Sequence, residues 1–113
     1  MRKEIVVLAA AVLIVLLFVV GVFAQDLIWK DIGRGNTDFR TVLIDPDNPR
    51  IIYAGLGNSI IKTEDAGETW RIILSIKGQS KAVNSLMFGV QDKNSIYAAT
   101  GNGLFFSYNR GSN

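Results

Sequence analysis

The sequence predicts an all-β chain behind one N-terminal hydrophobic helix, with its strands grouped into repeated antiparallel units. Three observations predict it. Residues Ile5 to Ala24 are apolar without a break. Beyond them, short runs rich in Val, Ile, Tyr and Phe alternate with clusters of Gly, Asn, Asp and Pro, the signature of strands separated by turns. Residues 40–69 also align with residues 84–113 without a gap, at an offset of 44. Four short strands in about 44 residues is the size of one propeller blade, so the expected architecture is a partial β-propeller of about two four-stranded blades.

Composition narrows the functional classes. A chain of 113 residues holds at most one small domain. It has no cysteine and no histidine, which excludes a disulfide framework, Cys or His metal sites, Cys nucleophiles and His general bases within this chain. No cofactor is expected. Lys and Arg total 12 against 10 Asp and Glu, and they are scattered. The pI of 9.1 therefore implies no nucleic-acid partner, since DNA or RNA binding needs a concentrated basic face.

Residues 1–24 read as a targeting segment. Arg2 and Lys3 precede the apolar run, and Val22 and Ala24 place small residues before Gln25. This matches a signal peptide cleaved after Ala24. The competing reading is an uncleaved membrane anchor through residues 5–24, because twenty apolar residues in a helix span roughly 30 Å. Either sends the rest of the chain out of the cytoplasm, secreted, periplasmic or anchored, with Arg2 and Lys3 left inside. A buried core helix has no amphipathic period to support it.

The first repeat occupies residues 40–76. Thr41 to Ile44 is a β-branched and apolar strand that ends at Asp45-Pro46-Asp47-Asn48-Pro49, a turn cluster of Pro-fixed φ and Asx side chains. Ile51 to Leu56 is the second strand, and Gly57-Asn58 is expected to supply positive φ for a tight hairpin into Ser59 to Thr63. Thr69 to Ile76 is the fourth. The second repeat, residues 83–113, carries three strands between about 83 and 107, with Gly101-Asn102-Gly103 at its hairpin. Ile52-Tyr53-Ala54 falls on Ile96-Tyr97-Ala98, and Val42-Leu43-Ile44 on Leu86-Met87-Phe88.

Between the third and fourth strands stands Thr63-Glu64-Asp65-Ala66-Gly67-Glu68-Thr69-Trp70, which fits Ser/Thr-x-Asp-x-Gly-x-x-Trp. With this motif the chain resembles the Asp-box, or bacterial-neuraminidase-repeat, β-propellers. The lead-in from Ile44 to Gly55 is similar to repeats of xyloglucanase-type glycosidases, sortilin-like receptors and photosystem II assembly factors. The resemblance covers residues 27–113. It implies that the box is structural and lies at the blade periphery, away from the ligand face. Asp65 is expected to accept bonds from turn N–H groups, Gly67 to take positive φ, and Trp70 to bury its ring under the turn. The second box, Ser107-Tyr108-Asn109-Arg110-Gly111, has Asn in place of Asp.

Trp29-Lys30-Asp31-Ile32 follows the contour of Trp70-Arg71-Ile72-Ile73, so residues 27–33 are expected to form an outer strand, the fourth strand of a blade whose first three lie elsewhere. Propellers close in this way, which removes open sheet edges. On this reading the chain is the N-terminal fragment of a longer ring. Were it complete, copies could self-assemble into a ring by strand exchange.

Other candidates give way to structural readings. Phe39-Arg40-Thr41-Val42 is similar to the carboxylate-binding arginine segment of sialidases but lacks its Pro, which leaves Arg40 as the one ligand-face candidate. Glu64, Asp65 and Glu68 belong to the box rather than to a calcium site, and Asp45 and Asp47 to a turn rather than to a glycosidase pair. Gly33-Arg34-Gly35-Asn36 reads as a linker between blades, and the recurring Tyr53 and Tyr97 as packing between them. No catalytic or metal site is expected. The function expected is an exported propeller scaffold that binds protein or glycan; the alternative is the opening part of a sialidase- or xyloglucanase-like glycoside hydrolase.

Overall fold

The structure, a computed structural model, describes residues 28–112. The apolar segment 5–24 and the position after Ala24 lie outside the described residues. Seven strands are present: β1 (Thr41–Ile44), β2 (Ile52–Gly55), β3 (Ser59–Thr63), β4 (Arg71–Ser75), β5 (Val83–Phe88), β6 (Ile96–Thr100) and β7 (Gly103–Ser107). They form two antiparallel meanders, β1-β2-β3-β4 and β5-β6-β7. Each strand follows its neighbour through a short turn because the sequence supplies turn chemistry every few residues. Asp45 accepts the Asp47 N–H and Asn48 accepts the Arg50 N–H, so the Pro-Asn cluster reverses the chain as its side chains dictate.

The repeat is visible bond by bond. The N–H of Asp45 donates to Ile51 O, and that of Gly89 to Ser95 O. The N–H of Ile51 donates to Asn48 O, and that of Ser95 to Asp92 O. Ala66 N–H reaches Arg50 O as Arg110 N–H reaches Asn94 O. Each second bond lies 44 residues after the first. Asp92 takes over the role of Asn48 by accepting the Asn94 N–H. The turn survives with neither Pro because Asn and Asp offer the same acceptor.

The core lies between the two sheets. Tyr53 and Ile60 from the first sheet pack with Val83, Leu86, Ile96 and Ala98 from the second, flanked by Leu43, Phe88 and Phe105. A Cβ on Gly55 would stand 2.5 Å from Val83 Cγ1, so glycine there lets β5 approach the first sheet. The Val83 N–H donates to Leu56 O and fixes the approach. On the far face of the first sheet a smaller cluster forms from Ala54, Leu56 and Ile61, partly covered by Phe39 and Trp70.

Two expectations are corrected. Residues 28–33 form no strand, although an outer strand was expected over 27–33. A strand persists as one rung of a ladder, and among the described residues no strand runs beside this segment. The hairpin glycines also divide unevenly. Gly103 takes a φ of 126°, but neither Gly57 nor Asn58 enters the left-handed region. Their turn is closed by the Leu56 N–H bond to Ser59 O.

Candidate functional site

The residues singled out by sequence meet in the loop between β3 and β4. Thr63 ends β3 and is buried, and its hydroxyl serves three partners. It donates to Asp65 Oδ1 at 2.8 Å and accepts the N–H groups of Gly67 at 2.9 Å and Asp65 at 3.3 Å. Asp65 closes the other side: Oδ1 accepts the Thr69 N–H at 2.8 Å and Oδ2 accepts the Thr69 hydroxyl at 2.6 Å. These bonds favour the charged form. They hold the carboxyl down to about 2 from 3.8, chiefly through the Thr69 hydroxyl, then the Thr69 N–H and the Thr63 hydroxyl.

Backbone geometry explains the residues between. Ala66 and Gly67 both lie at positive φ, 58° and 92°. Two successive left-handed residues turn the Gly67 N–H back onto Thr63. A Cβ on Gly67 would stand 2.7 Å from Ile32 Cβ and 2.8 Å from Ile32 O, so glycine also admits the incoming chain.

The second loop repeats the first. Ser107 Oγ donates to Asn109 Oδ1 at 2.9 Å and accepts from Gly111 N–H at 2.8 Å and Asn109 N–H at 3.4 Å. Asn109 Oδ1 then accepts the Ser112 N–H. Arg110 and Gly111 hold φ of 56° and 76°. Asparagine replaces aspartate without loss of the loop because only one acceptor oxygen is needed.

Trp70 lies elsewhere than under its own turn. Its ring packs edge-on against Phe39 at 5.9 Å over Ala54 and Ile61, and its Nε1–H donates to Ile32 O at 3.1 Å. It joins the loop to the segment arriving from the N-terminal side. Arg40 lies apart from the loop at the start of β1, where its Nε pairs with Asp38 Oδ2 at 3.0 Å in a solvent-exposed bridge beside Gly57. The structure does not bring Arg40 together with the two loops' residues.

The charged residues that sequence reasoning did not connect lie between the sheets. Asp45, 1% exposed, accepts Arg110 Nη1 at 2.6 Å. Arg110 also donates through Nε to Asn94 Oδ1, and its carbonyl accepts the Tyr53 hydroxyl at 3.0 Å. Lys93 Nζ pairs with both oxygens of Asp47 at 3.1 and 3.2 Å. The turn of the first sheet is thus clamped by two cations of the second. The one available signal was Arg110 itself, a long cationic side chain where the first loop has Ala66. Lys62, buried at the sheet face, is satisfied by Glu64 at 3.2 Å and lies over the Tyr53 ring, 5.2 Å from its centroid. Among the described residues no buried side-chain nitrogen or oxygen is left unbonded. Comparison with protein-family profiles, curated proteins and solved structures gave no match.

Proposed function

We propose that the chain is part of an Asp-box β-propeller that serves outside the cytoplasm as a scaffold for binding protein or glycan. The observation that carries this reading is that one hydrogen-bonded loop, built on Thr63 and again on Ser107, stands at the same place in two successive sheets that pack face to face. Such stacking of like sheets is how a propeller buries its strands. The scaffold reading is favoured over a glycoside hydrolase by what the carboxylates do. Asp45 is spent on Arg110, Asp47 on Lys93, and Asp65 on Thr63 and Thr69. Hydrolysis of a glycosidic bond needs two carboxyl groups free to face the sugar. Export is supported by the apolar run behind Arg2 and Lys3.

The test uses the full chain with a C-terminal tag. Expressed in a bacterium, it is expected to expose the tag to protease once the outer envelope is opened. Purified in non-ionic detergent, it is expected to bind a restricted set of spots on a glycan array or a defined extracytoplasmic protein, with binding weakened by Arg40→Ala. Aryl glycosides are expected to remain uncleaved. A protease-protected tag in opened cells would refute export, and turnover of an aryl glycoside would replace the scaffold with an enzyme.

A further inference from the structure

The two sheets repeat one unit, yet their faces are covered unequally. In the first sheet the strand register aligns Leu43, Tyr53 and Lys62 in one row across β1, β2 and β3. The second sheet covers this row. Tyr53 is 0% exposed, and its ring meets Phe88 edge-on at 6.0 Å. The row 44 residues later is Met87, Tyr97 and Phe106, aligned across β5, β6 and β7. Tyr97 is 37% exposed and Phe106 54%. Their rings lie 4.9 Å apart on a surface that Leu104 and Tyr108 extend. A contiguous aromatic face beside the open edge of β7 is a surface that a partner covers.

The complementary face is on the same chain. The second sheet reaches the first through Leu86, Phe88, Ala98 and Phe105. Their counterparts 44 residues earlier are Val42, Ile44, Ala54 and Ile61, on the far side of the first sheet, where Val42 and Ile44 are exposed. One outer surface therefore repeats the receiving face of the internal interface, and the other repeats the arriving face. That is the condition for head-to-tail association, in which two different patches meet.

We propose that the second sheet of one copy receives the first sheet of another copy, in the register of the internal interface, with Tyr97 of the recipient against Ile44 of the arriving chain. The Tyr53–Phe88 contact, moved by one repeat, is this pair. The Tyr53 hydroxyl bond to Arg110 O becomes a bond from the Tyr97 hydroxyl to Ala66 O of the arriving copy.

The same translation completes the recipient's sheet. Gly111 abuts Ile73 on β4, where a Cβ would stand 2.6 Å from Cδ1, and Gly67 abuts Ile32 in the same way. Ile32 therefore holds, before the first sheet, the place that β4 holds before the second. In the assembly that place lies along the open edge of β7. Residues 28–33 of the arriving copy become the fourth strand there, although they form none in the free chain. The least exact match is at Gly55, whose counterpart Ala99 carries a methyl group. The counterpart of Val83 is Phe39, which is turned against Trp70. This inference rests on the internal repeat and is independent of export and of any ligand.

The test is sedimentation equilibrium of the full chain in density-matched non-ionic detergent. Tyr97→Glu disables the receiving face and Val42→Glu the arriving face; both side chains are exposed, so unchanged circular dichroism is expected. The parent chain is expected to gain mass with concentration, and each variant alone to be a monomer. An equimolar mixture of the two variants retains one intact interface and is expected to give a dimer and nothing larger. Because the chain has no cysteine, chains carrying Ile44→Cys and Tyr97→Cys report the register. Mixed, they are expected to be joined by a short bismaleimide, and neither is expected to be joined to itself. A monomeric parent, variants that keep the parent's mass (as association through residues 5–24 would give), or a mixture that stays monomeric would each overturn the proposal.

Discussion

Arg110→Ala isolates the clamp between the sheets. Arg110 Nη1 stands 2.6 Å from a carboxylate of Asp45 that is 1% exposed, while the arginine side chain keeps 30% of its surface in water. Breaking a fully buried pair costs about 3–5 kcal/mol, and a hydrogen bond to a charged group contributes about 1.5–3 kcal/mol. Here the arginine end stays partly hydrated and the carboxylate is stranded with the Asp47 N–H, so the expected loss is about 2–3 kcal/mol. For a folded region of this size that lowers Tm by about 10 °C or more. Alanine adds no backbone strain, because Ala66 holds φ of 58° where Arg110 holds 56°. The assay is urea unfolding followed by tryptophan fluorescence on the parent, Arg110→Ala, Asp45→Ala and the double variant. The double variant is expected to lose less than the sum of the singles, by about 1 kcal/mol or more. A loss below about 0.5 kcal/mol for Arg110→Ala, or additivity within that margin, would refute the clamp.

Three further outcomes follow from the loops. Asp65 has its carboxyl lowered from 3.8 to about 2 on folding, so its contribution is full above the unfolded value and disappears as pH falls through the folded one. Melting curves are therefore expected to decline between about pH 4 and pH 2, and Asp65→Asn to flatten that part of the decline. Gly67→Ala places a methyl group 2.7 Å from Ile32 Cβ at a φ of 92° and is expected to cost more than about 1–2 kcal/mol in urea unfolding, the usual penalty of a left-handed non-glycine residue. Trp70→Phe keeps the apolar cover but loses the bond to Ile32 O, so a destabilisation of about 1 kcal/mol is expected in the same assay.

The local chemistry was legible and the long-range pairing was not. Thr41–Ile44 and Ser59–Thr63 lie where their β-branched runs and flanking turns placed them. The offset of 44 between Ile52-Tyr53 and Ile96-Tyr97 became a register shared by two sheets. The Thr63–Asp65–Gly67 loop could be anticipated because its partners are within six residues of one another. Asp45 looked like one more turn carboxylate because Arg110 is 65 residues away. Nothing in the spacing tells which cation a fold will carry to it. Trp70 was placed under its turn on the same local reasoning, yet its N–H partner is Ile32 O, 38 residues earlier. The segment 27–33 has strand composition, but a strand needs a neighbour, and composition cannot supply one.

The account stands on residues 63–69 and 107–112 being one hydrogen-bonded loop made twice. Amide hydrogen exchange at Gly67 and Gly111 tests this most directly, since these N–H groups bond to Thr63 Oγ1 and Ser107 Oγ at 2.9 and 2.8 Å. Both amides are expected to exchange slowly in the parent chain. Thr63→Val is expected to release Gly67 and leave Gly111 slow, and Ser107→Ala to do the reverse. Exchange of either amide at the free-chain rate in the parent, or slow exchange that survives loss of its own hydroxyl, would contradict it.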